Sequence, residues 1–375
     1  MRAAYSARSG HAAGGRSRLS RPVHGTRGKI GRVRYIILGA GAVGGTIGGC
    51  LALAGHEVVL TARGAHLDAL RAHGLRLSTP SGTDAVPAAA IGGPDEIDLR
   101  PGDVLVLATK SQDSVAVLTE WARKPVAGGG TASQDIPVIC AQNGVANERF
   151  ALRRFSRVYG MCVWLPAAHV ARGEVAAYGR PMAGLLWVGR YPAGTDKTVE
   201  RVAADLAGSR FRAPVAPDVM RWKYRKLLGN LGNAVEALCL PPGADMDDDR
   251  AAAARELSER ATAEGVAVLD AAGIGYATAA EVREARGRHV DYAPVAGAAR
   301  RGGSSWQSLT RGTGSIEADF LNGEIVLLGR EQGVPTPVNE GLQRLANRAA
   351  ADRLPPGSLS PAEIFAAAAV GAGER

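Results

Sequence analysis

One segment near the N-terminus constrains the fold more than any other part of the chain. Residues 36–63 read IILGAGAVGGTIGGCLALAGHEVVLTAR, in which an apolar run precedes Gly39-x-Gly41-x-x-Gly44, a helix-like stretch and a second β-rich run. This order predicts a βαβ unit. The first glycine permits a tight turn, the second lets the backbone approach a pyrophosphate, and the third lets helix and strand pack closely. The segment therefore predicts a dinucleotide site.

The same window has a second interpretation as a membrane span. Residues 36–55 carry no formal charge and contain glycine pairs four residues apart, a spacing typical of transmembrane helices. Glycines dilute the hydropathy of this stretch, and strand-like residues follow it at once, so the βαβ interpretation is favoured. No membrane association is therefore predicted.

The residue that follows the second strand distinguishes between the two nicotinamide dinucleotides. Enzymes that use NAD usually place Asp or Glu about twenty residues beyond the first glycine, to bind the ribose 2′-hydroxyl. This chain has the sequence TARG there, with Arg63 as its cation. A guanidinium suits a 2′-phosphate and favours NADPH by roughly 1.5–3 kcal/mol. The alternative is a solvated surface arginine.

The excess of positive charge is concentrated near the N-terminus. The formal net charge is +9, and nine basic residues precede the first acidic residue, Glu57. The other 36 basic residues balance the 36 acidic ones, so no nucleic-acid partner is predicted. Residues 1–32 lack apolar periodicity and are predicted to be a disordered basic extension. A tail that binds acidic partners and an organelle transit peptide are the alternatives.

Cysteine and histidine spacing points away from a metal site. The four cysteines, at positions 50, 140, 162 and 239, form no C-x-x-C pair, and the seven histidines show no spacing typical of metal ligands. We therefore expect a cytoplasmic protein that binds no metal.

The pattern after the first βαβ unit predicts a doubly wound parallel sheet. A helix is predicted over 66–73, a strand over 75–78, and two almost wholly apolar strands near 103–110 and 137–141. Ligands bind at the carboxyl ends of such strands, so Lys110, Gln142 and Asn143 are expected to line one crevice with the glycine loop. The alternatives are a solvated lysine and a plain turn.

A change of pattern near residue 215 predicts a second domain. Prolines interrupt the strand-like runs there, and no strand is predicted beyond Pro217. The predicted fold is α/β, an N-terminal Rossmann-type doubly wound sheet followed by an all-helical C-terminal domain. The predicted parts are the extension (1–32), an NADP-binding domain (33–215), a helical substrate and catalytic domain (216–350) and a C-terminal tail (351–375).

Two segments of the helical part carry candidate site residues. Lys226, Asn230 and Asn233 have the i, i+4, i+7 spacing of one helical face. Asn and Gly are poor helix formers, so their presence here indicates either a site or a helix break. Further on, IEADFLNG at 316–323 follows Ser304-Ser305-Trp306. From composition alone, Glu317 is interpreted as a first-turn carboxylate that the helix dipole stabilises.

Six motifs together resemble the ketopantoate reductase family over about residues 33–347. They are GAGAVG, ATK at 108–110, QNG at 142–144, the Lys226-Leu-Leu-x-Asn230 helix, Ser304-Ser305 and the IEADFLNG segment. Many dehydrogenases share the glycine loop, whereas Lys226 together with Glu317, twelve residues after Ser305, is more specific. The resemblance implies NADPH-dependent reduction of a small 2-keto acid, 2-dehydropantoate to pantoate, without a metal.

The resemblance also implies residue roles. Lys226 would donate the proton to the substrate carbonyl, and Glu317 would belong to the same catalytic cluster. The implied substrate-binding residues are Asn143, Asn230 and Ser305, the last of which would hold the carboxylate. The implied cofactor-binding residues are Gly39, Gly41, Ala42, Val43, Gly44, Arg63, Lys110, Asn143 and Glu317.

The chain departs from the family pattern at several positions. Asn233 follows Asn230 by three residues where the family usually has four. Tyr224 stands two residues before Lys226, where Trp is common, so Lys223 is a minor alternative to Lys226 as the catalytic lysine. The bulky Trp306 follows Ser305. A related ketone or imine reductase and a non-catalytic NADPH-binding sensor are therefore kept as alternatives. The sequence does not decide between a monomer and a homodimer.

Removal of residues 1–31 is expected to leave the melting temperature and turnover unchanged, because the segment has no apolar pattern to bury. Thermal unfolding of the truncated and full chains tests this. A large fall in melting temperature on truncation would contradict it.

Overall fold

The computed structural model of the protein describes residues 33–242, 247–299 and 301–373, without side chains from 370 onward. The extension predicted over 1–32 lies outside the described residues. Strands and helices alternate up to residue 212. The strands are β1 (Arg34–Leu38), β2 (Glu57–Thr61), β3 (Leu75–Thr79), β4 (Gly82–Val86), β5 (Ala89–Ile91), β6 (Asp103–Leu107), β7 (Val138–Cys140), β8 (Val158–Trp164), β9 (Ala167–Ala171), β10 (Glu174–Ala177), β11 (Gly179–Pro181), β12 (Gly184–Arg190) and β13 (Phe211–Arg212). The helices are α1 (Ala42–Leu53), α2 (Gly64–His73), α3 (Ser114–Ala122), α4 (Ala132–Asp135), α5 (Asn147–Leu152) and α6 (Lys197–Ala207).

Eight of these strands form one sheet, in the order β13-β12-β8-β7-β6-β1-β2-β5. Only the β8–β12 pair within it is antiparallel. In the parallel part, Leu38 of β1 is level with Thr61 of β2 and Leu107 of β6, and Leu107 is level with Cys140 of β7. The carboxyl ends of four strands therefore meet at one edge, and the loops that follow them are neighbours.

Both faces of this sheet are buried, which confirms the doubly wound prediction. Ile37 of β1 packs with Ile47 of α1 on one face, whereas Ile36 packs with Leu118 and Trp121 of α3 on the other. The continuous apolar runs of β1 and β6 are explained by this double cover. The strand predicted over 75–78 is β3, which belongs to a separate sheet of order β4-β3-β10-β9 that packs against α1.

The turn between β1 and α1 depends on two glycines. Gly39 has a φ of +104°, a backbone conformation that residues other than glycine rarely adopt. A Cβ on Gly44 would lie 2.1 Å from the carbonyl oxygen of Gly39, so only glycine allows the helix to start this close to the strand. Gly41 differs, because a Cβ there would have no atom within 4 Å.

The described residues after 218 form helices and one short strand. These elements are α7 (Val219–Asn230), α8 (Asn233–Cys239), α9 (Asp248–Ala271), α10 (Ala279–Arg286), β14 (Val290–Tyr292), α11 (Ser304–Thr310), α12 (Asn322–Gln332), α13 (Pro337–Ala351) and α14 (Pro361–Gly373). A separate apolar core, with Leu227, Leu257 and Leu342 fully buried, holds these helices together. None of the helices in the described ranges is long and apolar enough to cross a bilayer.

Three expectations for this part need correction. The prediction that no strand lies beyond Pro217 is wrong, because β14 pairs antiparallel with β11. The single helical face expected for Lys226, Asn230 and Asn233 is interrupted by the helix break that was the stated alternative, because α7 ends at Asn230 and α8 begins at Asn233. Glu317 lies before a 3₁₀ turn and not in the first turn of α12, so the helix dipole does not explain it. The strand β14 is three residues long and pairs with a segment distant in sequence, so its own residues carry no alternating pattern from which it could be predicted.

Gly44→Ala is expected to lower the free energy of unfolding by about 1–3 kcal/mol, because its Cβ meets a backbone oxygen that cannot move without distorting the turn. Gly41→Ala is the matched control and should leave stability nearly unchanged. Chemical denaturation of both variants measures the difference. Equal stability of the two variants would argue against the close contact.

Candidate active site

One large cavity lies at the carboxyl edge of the main sheet, where the helical part faces it. Its volume is about 790 Å³. The glycine loop side contributes Gly41, Ala42, Val43, Lys110 and Asn143, and the helical side contributes Lys226, Asn230, Asn233 and Glu317. A smaller cavity of about 280 Å³ shares Gly41 with it and is lined by Gly39, Thr61, Arg63 and Asp113, among others. Residues distant in sequence are thus brought into one space.

The start of α1 is arranged as an anion site. Gly41 precedes the helix with no side-chain cap, and no acidic residue lies in the first turn. The open space over Gly41 lets a ligand reach the first backbone amides, where the helix dipole favours negative charge. Three buried polar atoms of the cavity wall have no partner among the described residues, namely Thr109 Oγ1, Gln142 Oε1 and Asn230 Nδ2. Buried polar groups are normally satisfied, so these atoms fit a polar ligand such as a dinucleotide with its substrate.

Arg63 follows β2 and faces the smaller cavity. Its side chain is 74% exposed, and Asp113 is its ion-pair partner at 3.9 Å. Such a distant, solvated pair contributes little energy, so the guanidinium is free to bind a ligand phosphate.

Lys226 is placed by the crossing of α7 over β8. Its Nζ donates to the carbonyl oxygen of Val163, which fixes the ammonium at the cavity wall. Burial lowers the pKa of Lys226 to about 8, with a further lowering from the Lys223 cation, while Cys162 and Glu317 act in the opposite direction. An ammonium with this pKa can give up a proton near neutral pH.

Glu317 is held by the sheet side of the cavity. Its Oε1 accepts hydrogen bonds from the backbone N–H of Ser111 at 3.0 Å and from the Ser111 hydroxyl at 3.1 Å. The same hydroxyl accepts from Nδ2 of Asn147, which also donates to the carbonyl oxygen of Asn143 at 3.4 Å. This chain of hydrogen bonds positions Asn143 and Glu317 relative to each other.

Lys110 reaches across the cavity to α11. Its Nζ donates to the hydroxyl of Ser308 at 2.9 Å, and burial lowers its pKa. Ser304, one turn before Ser308, lines the same wall. Ser305 does not line it, because it lies on the side of α11 that carries the buried Leu309, one turn further on. The structure therefore brings Ser304 and Ser308 to the cavity in place of the predicted Ser305.

The atypical residues of the sequence have separate explanations. Asn233 begins α8, and the helix break directs it into the cavity beside Asn230. Trp306 points away from the cavity into the helical core, where its indole N–H donates to the carbonyl oxygen of Leu240 at 2.9 Å. It therefore does not narrow the pocket. Tyr224 packs against the same core.

Lys223, the alternative to Lys226 as proton donor, has different contacts from Lys226. Its ammonium forms an ion pair with Glu148 of α5, and the two side chains are 2% and 0% exposed. Lys223 does not line the cavity. The two lysines lie about one turn apart on nearly the same side of α7, and at the position of Lys223 the neighbour is Glu148 of α5 and not the cavity.

Several cavity residues were not predicted from the sequence. Among the described residues, four cationic side chains line the cavity, Lys110, Lys226, Arg286 and Arg311, and one carboxylate, that of Glu317. Nε2 of His66 donates to the Ala40 carbonyl oxygen, 2.9 Å away, and the ring lies beside His169, whose pKa burial lowers to about 4. The excess of cations suits an anionic ligand. No local motif marks Arg286, Arg311 or His169, because only the tertiary fold brings them here.

Comparison with known proteins gives this cavity a context. Residues 35–193 match the family model described as ketopantoate reductase PanE/ApbA, and residues 218–350 match the model of its C-terminal part. The chain belongs to the ketopantoate reductase family. It is therefore an oxidoreductase that acts on a CH–OH group and uses a nicotinamide cofactor, as the resemblance of its motifs implied.

Individual ketopantoate reductases are similar over most of the chain. The 2-dehydropantoate 2-reductase of Archaeoglobus fulgidus is 28% identical over 83% of this chain and 96% of its own length. The crystal structure of a PanE/ApbA family ketopantoate reductase from Ralstonia eutropha is 27% identical, with a TM-score of 0.69 over 85% of this chain and 99% of that one. The ternary structure of D-mandelate dehydrogenase with NADH and anilino(oxo)acetate, 19% identical with a TM-score of 0.71 over 86% and 99%, shares the fold.

Lys223→Ala is expected to lower the free energy of unfolding by about 3–5 kcal/mol, because it leaves the buried carboxylate of Glu148 without a partner. Arg348→Ala removes a partner from an exposed pair with Asp352 and should change stability by less than about 1 kcal/mol. Urea denaturation of both variants checks the prediction. Similar small losses would mean that the Lys223 pair is solvated.

Proposed function

We propose that the protein reduces a 2-keto acid with NADPH, and that 2-dehydropantoate, converted to pantoate, is the preferred substrate. The observation that carries the proposal is the convergence on one cavity of Lys226, Asn143, Asn230 and Glu317 beside the start of α1. The names of the relatives support the substrate, since the similar Archaeoglobus protein is a 2-dehydropantoate 2-reductase.

The cofactor residues follow from the two adjoining cavities. The first amides of α1 would hold the pyrophosphate, Arg63 would hold the 2′-phosphate, and Lys110 and Asn143 would face the nicotinamide half. When bound, the cofactor supplies a hydride to the substrate carbonyl carbon. The unpartnered atoms of Thr109 and Gln142 lie on the wall that it would cover.

Lys226 meets the charge that develops on the substrate oxygen. As the carbonyl carbon accepts a hydride, its oxygen becomes basic and needs a donor that is already in place. The Lys226 ammonium is fixed by the Val163 carbonyl, and burial lowers its pKa to about 8, so at neutral pH it is mostly protonated yet acidic enough to donate. The Glu317 carboxylate, on the same cavity wall, favours the charged form before transfer.

The substrate carboxylate has two candidate donors within the same cavity. Ser304 of α11 and the amide of Asn230 line the wall, and the unpartnered Nδ2 of Asn230 suits a carboxylate or hydroxyl oxygen, whereas the hydroxyl of Ser308 already donates to the carbonyl oxygen of Ser304 at 3.0 Å. Because Ser305 lies outside the cavity, the carboxylate contact that the family resemblance assigned to it would pass to Ser304.

A related 2-keto acid reductase is the second candidate. The displacement of Ser305 favours it, as do Trp164, Leu185 and Tyr292 in the cavity wall, which offer apolar surface for a larger side chain. Loss of NADPH absorbance with 2-dehydropantoate and a panel of straight, branched and aromatic 2-keto acids decides between them. A kcat/KM highest for 2-dehydropantoate supports the first proposal, and a higher value for another acid supports the second.

Lys226→Ala is expected to lower kcat by about 10²–10⁴-fold with little change in NADPH affinity, because the proton donor is lost while the cofactor contacts remain. In the wild type, kcat should fall as the pH rises above about 8, since the active form is the protonated lysine and burial lowers its pKa to that value. Lys197→Ala, on the exposed start of α6, is the matched control. An unchanged kcat in the Lys226 variant would refute the assignment.

Arg63→Ala is expected to raise the NADPH dissociation constant by about ten- to a hundredfold and to leave NADH binding nearly unchanged, because only the 2′-phosphate loses its partner. Titration calorimetry with both cofactors measures this, with the exposed Arg123→Ala as control. Equal weakening of NADPH and NADH binding would show that Arg63 does not recognise the phosphate.

A further inference from the structure

The buried ion pair between Lys223 and Glu148 has no assigned role in the reaction. It joins the helix that carries Lys226 to the first turn of α5, and its side chains are 2% and 0% exposed. Only one carboxylate oxygen is used, because Oε2 of Glu148 has no partner among the described residues. Replacing such a pair by neutral groups is often neutral or stabilising, so stability alone is a weak reason for burying it.

The pair lies along the path by which α7 crosses β8. A Cβ on Gly160 of β8 would lie 2.9 Å from Val219 of α7 and 3.4 Å from Oε1 of Glu148, so the glycine leaves room for both. Three residues further along the same strand, Val163 accepts the hydrogen bond of Lys226. The ion pair therefore attaches α7 to α5 beside Gly160, and the Lys226 contact attaches the same helix to β8 three residues further along that strand.

The other end of the pair is connected to the remaining site residues. Glu148 follows Asn147, which is fully buried and donates to Ser111 at 3.0 Å and to the Asn143 carbonyl oxygen at 3.4 Å. Ser111 in turn holds Glu317. The first turn of α5 thus contacts, directly or through one residue, the groups on both walls of the cavity.

We propose that Lys223 and Glu148 are positioning residues for catalysis, which attach α7 to the first turn of α5 and keep a buried cation one turn from the Lys226 ammonium. The inference rests on the proposed role of Lys226 as proton donor. A second cation at this distance disfavours the charged form of Lys226 and thereby makes it a better acid.

The groups that face Lys226 come from three elements. Cys162 of β8 and Glu317 of the segment before α12 raise its pKa, whereas Lys223 of α7 lowers it, in addition to the larger lowering by burial. Lys223 also lowers the pKa of Cys162, which places its charge close to the same point of the strand. Of these neighbours, Lys223 is the one whose removal should make Lys226 a weaker acid.

The test replaces the pair by neutral groups of similar size, in Glu148→Gln/Lys223→Met. The pH above which kcat falls, measured with saturating NADPH and 2-dehydropantoate, should rise by about half a unit to one unit, because the Lys223 cation, and not its partner Glu148, is the charge of the pair that acts on the pKa of Lys226. The matched control is Glu256→Gln/Arg260→Met, which removes an exposed pair on α9 and should leave the profile unmoved. A purely structural pair would change the melting temperature and leave the profile where it was.

A second measurement needs no cofactor. Competitive acetylation of the free protein over a range of pH, with the Lys226 peptide quantified by mass spectrometry, reports the midpoint at which Lys226 becomes reactive. The neutral pair should move this midpoint upward, and the exchanged pair Glu148→Lys/Lys223→Glu should move it further, because a carboxylate then occupies the α7 position. If one of the two variants does not fold, the other decides.

The outcomes separate the two proposals. An unmoved acetylation midpoint in a folded variant overturns the role of the pair, whatever the activity. A moved midpoint in a protein that reduces none of the 2-keto acids tested supports the pair and refutes the proposed function. A profile that moves together with the midpoint supports both.

Discussion

The parallel register of the main sheet is the constraint on which the rest of the structure depends. Because β1, β2, β6 and β7 end level with one another, the glycine loop, Arg63, Lys110 and Asn143 follow strand ends along one edge. Each strand is held by its neighbours' backbone hydrogen bonds and by apolar cover on both faces, so the edge is rigid. Loops on such an edge can be polar without weakening the core.

The helical part completes the site through the crossing of α7 over β8. Gly160 of β8 allows the helix to approach closely, since it leaves room for Val219 of α7. Lys226 and Asn230 line the cavity, whereas Lys223 pairs with Glu148 of α5 and Leu227 packs in the helical core. The break at 231–232 lets Asn233 join the cavity from the next helix. Different residues of α7 therefore pack in the core, form the buried ion pair and line the cavity.

Burial affects the lysines of the site more than their pairing with carboxylates does. The cavity carries more cations than carboxylates, which suits anionic ligands, while burial lowers the pKa of both Lys110 and Lys226. Glu317 is the carboxylate that opposes this lowering, and Ser111 holds it in place. The site is therefore positive enough to attract an anion, yet its lysines release protons more readily than lysines in water.

The sequence by itself determined the fold class and the family, because glycine spacing, apolar runs and ordered motifs are local signals, and the matching family models confirm both. It also indicated which residue types the site would contain. Only the tertiary structure decided which member of a pair faces the cavity, Lys226 over Lys223 and Ser304 over Ser305, since helical phase within a few residues depends on what each face packs against. Contacts such as Glu317 with Ser111 join segments 206 residues apart. No local pattern encodes them, because they arise only when two cores fold against each other.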